Sequence, residues 1–122
     1  MKKNYCVNQD DGEDFILFQN DEGLYCCPVC GSPEFTEAPY DENGSASFQM
    51  CSCNFEFGYD DSQKASKEAV EGIEANWARW RLKVIEKCSH SKQELEDLEK
   101  NLNNLGIYLA FDLIPVKRNE NT

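Results

Sequence analysis

Cys27-Pro28-Val29-Cys30-Gly31 and Cys51-Ser52-Cys53 are the two stretches that decide how this chain folds. In the first stretch, proline fixes the turn and glycine permits the tight backbone that brings amides close to sulfur, so both thiols point at one spot. The second stretch can add two more thiols, because the side chain between its cysteines points away. Four thiolates around one point form the usual site of a structural zinc ion. We therefore predict structural zinc, and its predicted ligands are Cys27, Cys30, Cys51 and Cys53.

The same sulfurs allow other interpretations. The cluster could be a reduced, metal-free group, and Cys26 could replace Cys27 as a ligand. A catalytic zinc would need an open coordination position and a nearby base, which a site closed by four sulfurs lacks. A thioredoxin-like dithiol would lie in a βαβ pattern, and none surrounds the first stretch. The one histidine, His90, falls between two predicted helices, and we expect it to be a solvated loop residue.

The size and composition of the chain predict one domain over residues 1–122. Hydrophobic residues make up 40% and aromatic residues 11% of the sequence, which is enough for a modest core. No apolar run approaches the roughly 20 residues of a membrane span and no signal peptide is evident, so we expect a cytoplasmic protein. The seven cysteines agree with that compartment, because cytoplasmic thiols stay reduced and an odd number fits a closed disulfide set poorly.

Negative charge is concentrated in the cysteine-bearing half of the chain. The net charge is −11; residues 1–61 contain thirteen acids and two lysines, whereas residues 62–122 contain ten acids and ten bases. Such a field attracts basic partners and repels phosphates, although acidity can also serve solubility alone. We expect partner contacts among the acids of the first half, and the candidates are Asp10, Asp11, Glu13, Asp14, Asp41, Glu42, Asp60 and Asp61.

Residues 1–61 predict a β-rich cysteine module. The polar, acid-rich start over residues 1–14 predicts a loop. Short apolar or alternating runs separated by turn residues then predict a series of strands, beginning with a hairpin around the turn at residues 20–23. The predicted strands cover residues 15–18, 24–26, 45–50 and 55–59.

Residues 62–122 predict two amphipathic helices and a closing strand. Ser62 is the predicted N-cap of a helix ending near Lys87, because apolar residues recur at three- and four-residue steps from Ala69 to Val84. A second helix is predicted to begin after Ser91, which opens a capping-box pattern, and to end at Gly106.

The alternation over residues 107–113, before Pro115, predicts the C-terminal strand. Neither half of the chain can bury its apolar face alone, so the two should pack together. The predicted fold class is α+β: a small zinc-ribbon-like β module packed with two amphipathic helices and a C-terminal strand.

Residues 27–61 resemble a family of small bacterial cysteine-rich proteins with a zinc-ribbon-like module. The family pattern runs Cys-Pro-x-Cys-Gly, then Thr-Glu-x-Pro-Tyr-Asp, then Cys-Pro-Cys-Cys-Gly-Phe-Glu-Phe-Gly-Tyr-Asp-Asp. The matching stretches here are residues 27–31, 36–41 and 55–61, and Trp77 and Trp80 resemble the helix of that family. The resemblance implies a ribbon-like metal module and carries no assigned activity.

The second cysteine cluster departs from that family pattern. When the chain is laid on the shared Phe-Glu-Phe-Gly segment without a gap, the first cysteine of the family falls on Met50 and its third on Ser52. The fourth falls on Cys53 and the following glycine on Asn54, while Cys51 stands in place of proline. The second metal-binding turn is therefore altered in this chain.

The sequence favours a protein-binding function. It contains no Gly-x-Ser-x-Gly, phosphate-binding loop or His-Glu-x-x-His pattern, so we expect no enzymatic activity. Basic residues cluster only on the predicted helix with Trp77 and Trp80; we expect these tryptophans to be core and the arginines to cover the acids of the ribbon. We predict an immunity- or antitoxin-type protein that neutralises a basic, nuclease-like toxin. The alternative is a zinc-ribbon regulatory or nucleic-acid-binding protein.

Overall fold

The structure of the protein is a computed structural model, which describes residues 1–8 and 12–109. Its helices and strands are β1 (Lys2–Val7), β2 (Asp14–Gln19), α1 (Ile73–Cys88) and α2 (Lys92–Asn103). A sheet with two helices agrees with the predicted α+β class. Residues 107–109 have no regular structure, and the remainder of the predicted C-terminal strand lies outside the described residues. Within the described part of the chain, neither helix has the length and apolar character needed to cross a membrane.

The strands β1 and β2 form a two-stranded antiparallel sheet in which Cys6 pairs with Phe15. The prediction of a loop over residues 1–14 is therefore wrong for Lys2–Val7. Cys6 faces the core and is buried, whereas Tyr5 and Val7 on either side of it point to solvent. The backbone of this mostly polar strand is hydrogen-bonded to β2 in a two-stranded sheet. Local sequence composition did not predict the strand, because that composition does not show which segment will pair with it.

Turns and isolated bridges, rather than strands, build the chain between β2 and α1. The expected return of the first hairpin is a single bridge between Gln19 and Tyr25. The predicted strands at residues 45–50 and 55–59 contribute only the bridges Tyr40–Ala46 and Met50–Glu56. The chain reverses too often here for longer ladders to form, because each cysteine cluster is itself a tight turn.

Helix α1 begins at Ile73, eleven residues after the predicted N-cap Ser62. Residues 59–69 form consecutive turns instead, in which Ala65 and Ser66 both donate backbone hydrogen bonds to the Ser62 carbonyl. Gly72 precedes the helix with φ 98° and provides no side-chain cap. The apolar periodicity predicted too early a start because it included Ala69. Ala69 is buried, but it belongs to the turns before the helix.

Helix α2 begins as predicted, since the Ser91 side chain accepts a hydrogen bond from the Glu94 amide. After Asn103, Gly106 donates to the Asn103 carbonyl and Ile107 donates to the Leu102 carbonyl. This hydrogen-bond pair is the Schellman motif, with Gly106 in the predicted terminal role.

The core is aromatic and joins the two halves of the chain. Phe15 and Tyr40 pack against Trp77 of α1 with ring centroids 5.4 and 5.8 Å away, as expected for a core tryptophan. The Trp77 indole also donates to the Tyr40 hydroxyl at 3.2 Å, and that hydroxyl donates to the Asp61 carboxylate. Leu102 anchors α2 in the same core.

Candidate metal centre

The first cysteine turn is held by hydrogen bonds from three backbone amides, two to carbonyls and one to a sulfur. The Gly31 amide donates to the Cys27 carbonyl (2.7 Å), the Cys27 amide donates to the Ser32 carbonyl (2.9 Å), and the Val29 amide approaches the Cys27 sulfur (3.4 Å). Gly31 has φ 84° and lies against α2, where an added Cβ would come within 2.0 Å of the Asn101 carbonyl oxygen. Only glycine permits both the turn and this contact.

The second cysteine turn repeats that scheme with one residue fewer. The Asn54 amide donates to the Cys51 carbonyl (2.8 Å), the Cys51 amide donates to the Phe55 carbonyl (3.0 Å), and the Cys53 amide approaches the Cys51 sulfur (3.4 Å). Asn54 has φ 73° and takes the place of the glycine, as asparagine can in the left-handed region. Cys51 is therefore the counterpart of Cys27, although it stands where the resembling family has proline.

The two turns bring four sulfurs together. The Sγ atoms of Cys27, Cys30, Cys51 and Cys53 all lie within 4.8 Å of one another. Cys27 is 4.0 Å from Cys53, and Cys30 is 3.5 Å from Cys51. A tetrahedron with Zn–S bonds of about 2.3 Å has S–S edges of about 3.8 Å, so the spacing fits such an ion. The prediction that these four cysteines form one group able to hold a metal ion is confirmed.

The electrostatics of the group suit a cation. Hydrogen bonds from the thiols of Cys27, Cys51 and Cys53 stabilise the Cys30 thiolate and lower its pKa. Burial, in contrast, raises the pKa of the Cys27 thiol well above its ordinary value. The four sulfurs therefore hold thiols and at least one thiolate linked by S–H hydrogen bonds. A soft divalent ion would displace the remaining protons and bind the resulting thiolates.

Helix α1 holds both cysteine turns from one face. Arg81 donates from Nε to the Val29 carbonyl and from Nη2 to the Pro28 carbonyl, each at 2.7 Å. The preceding residue, Trp80, donates from its indole to the Cys53 carbonyl at 3.0 Å. The expectation that the arginines of this helix cover acids of the ribbon is wrong for Arg81, which binds backbone. The sequence feature that could have predicted these contacts is an arginine directly after a tryptophan on the core-facing side of a helix.

Glu34 stabilises the second cysteine turn, a role that the sequence did not predict. Its carboxylate accepts hydrogen bonds from the Ser52 amide (3.1 Å) and from the Ser52 hydroxyl (2.7 Å). The same carboxylate lies 3.5 Å from the Cys51 sulfur. Glu34 therefore fixes Ser52, the residue between the two cysteines of the shortened turn. The Ser52 hydroxyl lies 3.9 Å from the Cys51 sulfur, so its side chain does not point away from both sulfurs as predicted.

The remaining cysteines lie outside the four-sulfur group. Cys26, the alternative to Cys27, is fully buried, and its amide donates to the Phe18 carbonyl beside β2. Burial raises the pKa of the thiols of Cys6, Cys26 and Cys88. His90 is exposed in the turn between α1 and α2, as predicted.

Four of the candidate partner-binding acids gather at one edge, here called the acidic edge: Glu13, Asp14, Asp41 and Glu42. Val7 pairs with Asp14 across the sheet, and the Val7 amide donates to the Glu42 carbonyl at 3.1 Å, which joins these segments. All four acids are exposed. Asp10 and Asp11 lie outside the described residues.

Asp60 and Asp61 are placed differently from the acidic edge, because both are half-buried. The Asp60 carboxylate accepts from the Glu56 amide at 2.8 Å, and that of Asp61 accepts from the Gly58 amide at 3.0 Å. Both acids therefore brace the turn that follows residues 55–57.

Comparisons with protein-family models, curated proteins and solved structures gave no match. The resemblance to the cysteine-rich family therefore stays a prediction.

Proposed function

We propose that this chain is a non-enzymatic, acidic protein-binding module, stiffened by structural zinc, which neutralises a basic protein in the manner of an immunity protein or antitoxin. The class of partner that fits is a toxin with a cationic surface, such as a nuclease, because nucleases need positive charge to hold phosphate. The proposed compartment is the cytoplasm, where the thiols stay reduced and available to zinc.

One observation carries the proposal: ion pairs neutralise few of the described carboxylates of the first half. Among described carboxylates of residues 12–61 other than Glu13, only Asp21 forms an ion pair, with the N-terminal ammonium at 3.2 Å. Two cations of α1, Arg79 and Lys83, are engaged elsewhere, since both approach Glu68 of the second half. The negative field of the first half is therefore left for a partner.

The acidic edge gives that field a location. It combines exposed carboxylates from two separate segments, one at the start of β2 and one in the turn after Tyr40. Asp41 and Glu42 are close enough to the buried Cys6 for their charges to add to burial in raising its pKa. A surface of this kind steers a cationic partner and can support association rates up to about 10⁸–10⁹ M⁻¹ s⁻¹.

Zinc would serve the surface indirectly. Held by the four cysteines, the ion supplies a fixed crosslink between the turn after β2 and the turn before residue 55. Rigid binding surfaces lose less entropy on association, so the crosslink would favour tight binding. The closed sulfur set offers no position for a substrate, which agrees with a role in binding.

The engagement of the basic residues supports a protein partner over a nucleic acid. Arg81 is committed to two carbonyls, Arg79 donates to Asn76 and to the Asp60 carbonyl, and Lys83 lies 4.7 Å above the Trp80 ring. Helix α1 therefore does not present a free row of cations to phosphates, which nucleic-acid binding would need.

The proposal is tested by co-expressing the chain with the product of each neighbouring reading frame and purifying through a tag on the chain. We expect a stable complex with a product that has a basic domain, and recovery of growth where that product alone is toxic. The absence of a complex with every neighbouring product would overturn the proposal.

Charge variants make the test specific. Asp14→Asn combined with Glu42→Gln should slow association by roughly tenfold at low salt, because steering depends on the local field. Glu96→Gln combined with Asp97→Asn removes the same charge from the exposed face of α2 and is the matched control. Equal effects of the two pairs would show that net charge, rather than the acidic edge, attracts the partner.

A further inference from the structure

A cleft lies on the side of the molecule where residues 43–48 approach residues 70–73. Its volume is about 710 Å³, and its lining includes Phe48, Asp61 and Val70. Tyr40 and Gly58 also line it. The cleft is separate from the four-sulfur group, whose cysteines are not among its lining residues.

Phe48 lines this cleft and is unusual in both its exposure and its backbone conformation. Its side chain is 64% exposed, although its backbone has φ 62°, a conformation that is costly for a residue with a bulky side chain. The ring lies so close to Gly58 that a Cβ there would meet the Phe48 Cε1 atom at 2.5 Å. A strained backbone that displays an aromatic ring to solvent indicates a contact surface.

Asp61 provides the charge next to that ring. Gly58 connects the two, because its amide donates to the Asp61 carboxylate while its α-carbon faces the Phe48 ring. The Tyr40 hydroxyl donates to the same carboxylate and fixes its orientation. No cation among the described residues forms an ion pair with Asp61, and the charges of Lys64 and Glu71 in the lining offset each other.

We propose that this cleft receives an arginine side chain of the basic partner, with the guanidinium stacked on Phe48 and paired with Asp61. The inference rests on the proposed function and adds the chemistry of one anchoring contact. An aromatic face beside a carboxylate matches a guanidinium, which is planar, cationic and able to donate several hydrogen bonds at once. Val70, which is partly exposed, offers apolar surface for the aliphatic stem.

The experiment is an NMR titration of the zinc-loaded protein with acetyl-Gly-Arg-Gly-amide. We expect the largest shifts at the Gly58 amide and the Phe48 ring. The matched peptide acetyl-Gly-citrulline-Gly-amide keeps the shape without the charge, and we expect it to bind at least tenfold more weakly. A lysine peptide should be intermediate, because an ammonium is more strongly hydrated and cannot stack.

Two variants separate the contact from a merely structural role. Asp61→Asn should weaken the arginine peptide about tenfold, but this change also touches the Tyr40 hydrogen bond. Phe48→Gly removes the ring and relieves the strained backbone, so we expect the variant to stay folded and to lose arginine binding. Leu82→Ala, at a site that is 69% exposed on α1, is the control and should leave binding unchanged.

The outcomes distinguish this inference from the proposed function. Shifts spread over the acidic edge, with none at Gly58, would overturn the arginine site while leaving a basic protein partner in place. Equal binding of the arginine and citrulline peptides would also overturn it. Arginine-specific shifts at Gly58, with no complex formed by any basic neighbouring product, would support the cleft and contradict the partner proposal.

Discussion

Arg81 is the side chain that connects α1 to the first cysteine turn. Its two 2.7 Å hydrogen bonds reach carbonyls beside Cys27 and Cys30, and the thiolates add a favourable charge contact that opposes the effect of burial on its pKa. Outer groups of this kind orient the ligands of a metal site.

We expect Arg81→Met to lower zinc affinity about 10- to 100-fold, because two carbonyls lose their donors and the thiolates lose a favourable cation. Arg81→Lys should recover part of the loss. Competition against a chromophoric chelator measures the affinity. Lys87→Met, an exposed change in the last turn of α1, is the control. An unchanged affinity in Arg81→Met would show that the turn is held by its own backbone alone.

Substitution of individual cysteines tests which of them bind zinc. Cys27→Ser, Cys30→Ser, Cys51→Ser and Cys53→Ser should each abolish the expected one zinc per chain, and should lower the free energy of unfolding by roughly 3–5 kcal/mol. Cys26→Ser should keep the zinc, since Cys26 lies outside the four-sulfur group. Elemental analysis with urea unfolding checks both statements. Loss of zinc in Cys26→Ser alone would reverse the assignment of the first ligand.

At the scale of elements, the start of α1 depends on Asn76. This fully buried side chain donates to the carbonyls of Val70 (2.7 Å) and Gly72 (2.9 Å), and it accepts from the Val70 amide (2.8 Å). It therefore holds the segment just before the helix in place, although no side chain caps the first helical amides.

We expect Asn76→Ala to cost about 2–4 kcal/mol of stability, because three hydrogen bonds to half-buried backbone are lost together. Urea unfolding measures the change, and Glu86→Ala on the exposed face of α1 is the control. A cost below about 0.5 kcal/mol would mean that Gly72 alone sets the helix start.

The elements differ in how far sequence could predict them. The start of α2 was predictable because its cap, Ser91, bonds to an amide only three residues away. The start of α1 was not, because Asn76 reaches back to residues that continue the apolar periodicity without being helical. The strand β1 was missed since its partner lies beyond a turn and four of its six residues are exposed. The first cysteine turn was predicted correctly because proline, glycine and sulfur spacing act within a few residues, whereas the prediction of the second turn rested on its sulfur spacing alone.

At the scale of the whole molecule, the Trp77–Tyr40–Asp61 chain of hydrogen bonds joins the two halves beneath the proposed arginine cleft. Burial raises the pKa of Asp61 above its ordinary value, against the opposing effect of the Tyr40 hydroxyl. The folded protein therefore holds a proton on Asp61 more readily than the unfolded chain does.

This shift predicts a pH dependence with a definite sign. As pH falls from neutrality through the folded pKa of Asp61 towards its unfolded value near 3.8, the protein should gain stability relative to Asp61→Asn. The slope of the difference cannot exceed about 1.4 kcal/mol per pH unit for one proton. Paired urea titrations of the two proteins above the pH of zinc loss measure it. A difference that moves in the opposite direction would show that the Tyr40 hydrogen bond outweighs burial.

The contact between Gly31 and the end of α2 has a consequence for how the protein is made. The Gly31 carbonyl accepts from Asn104, 73 positions later in the chain. At a synthesis rate of 5–20 residues per second, the first cysteine turn leaves the ribosome about 4–15 s before the helix that covers it. Those seconds are an interval in which ion capture competes with oxidation at uncovered thiols, so the metal supply of the cell during translation would determine how many chains mature.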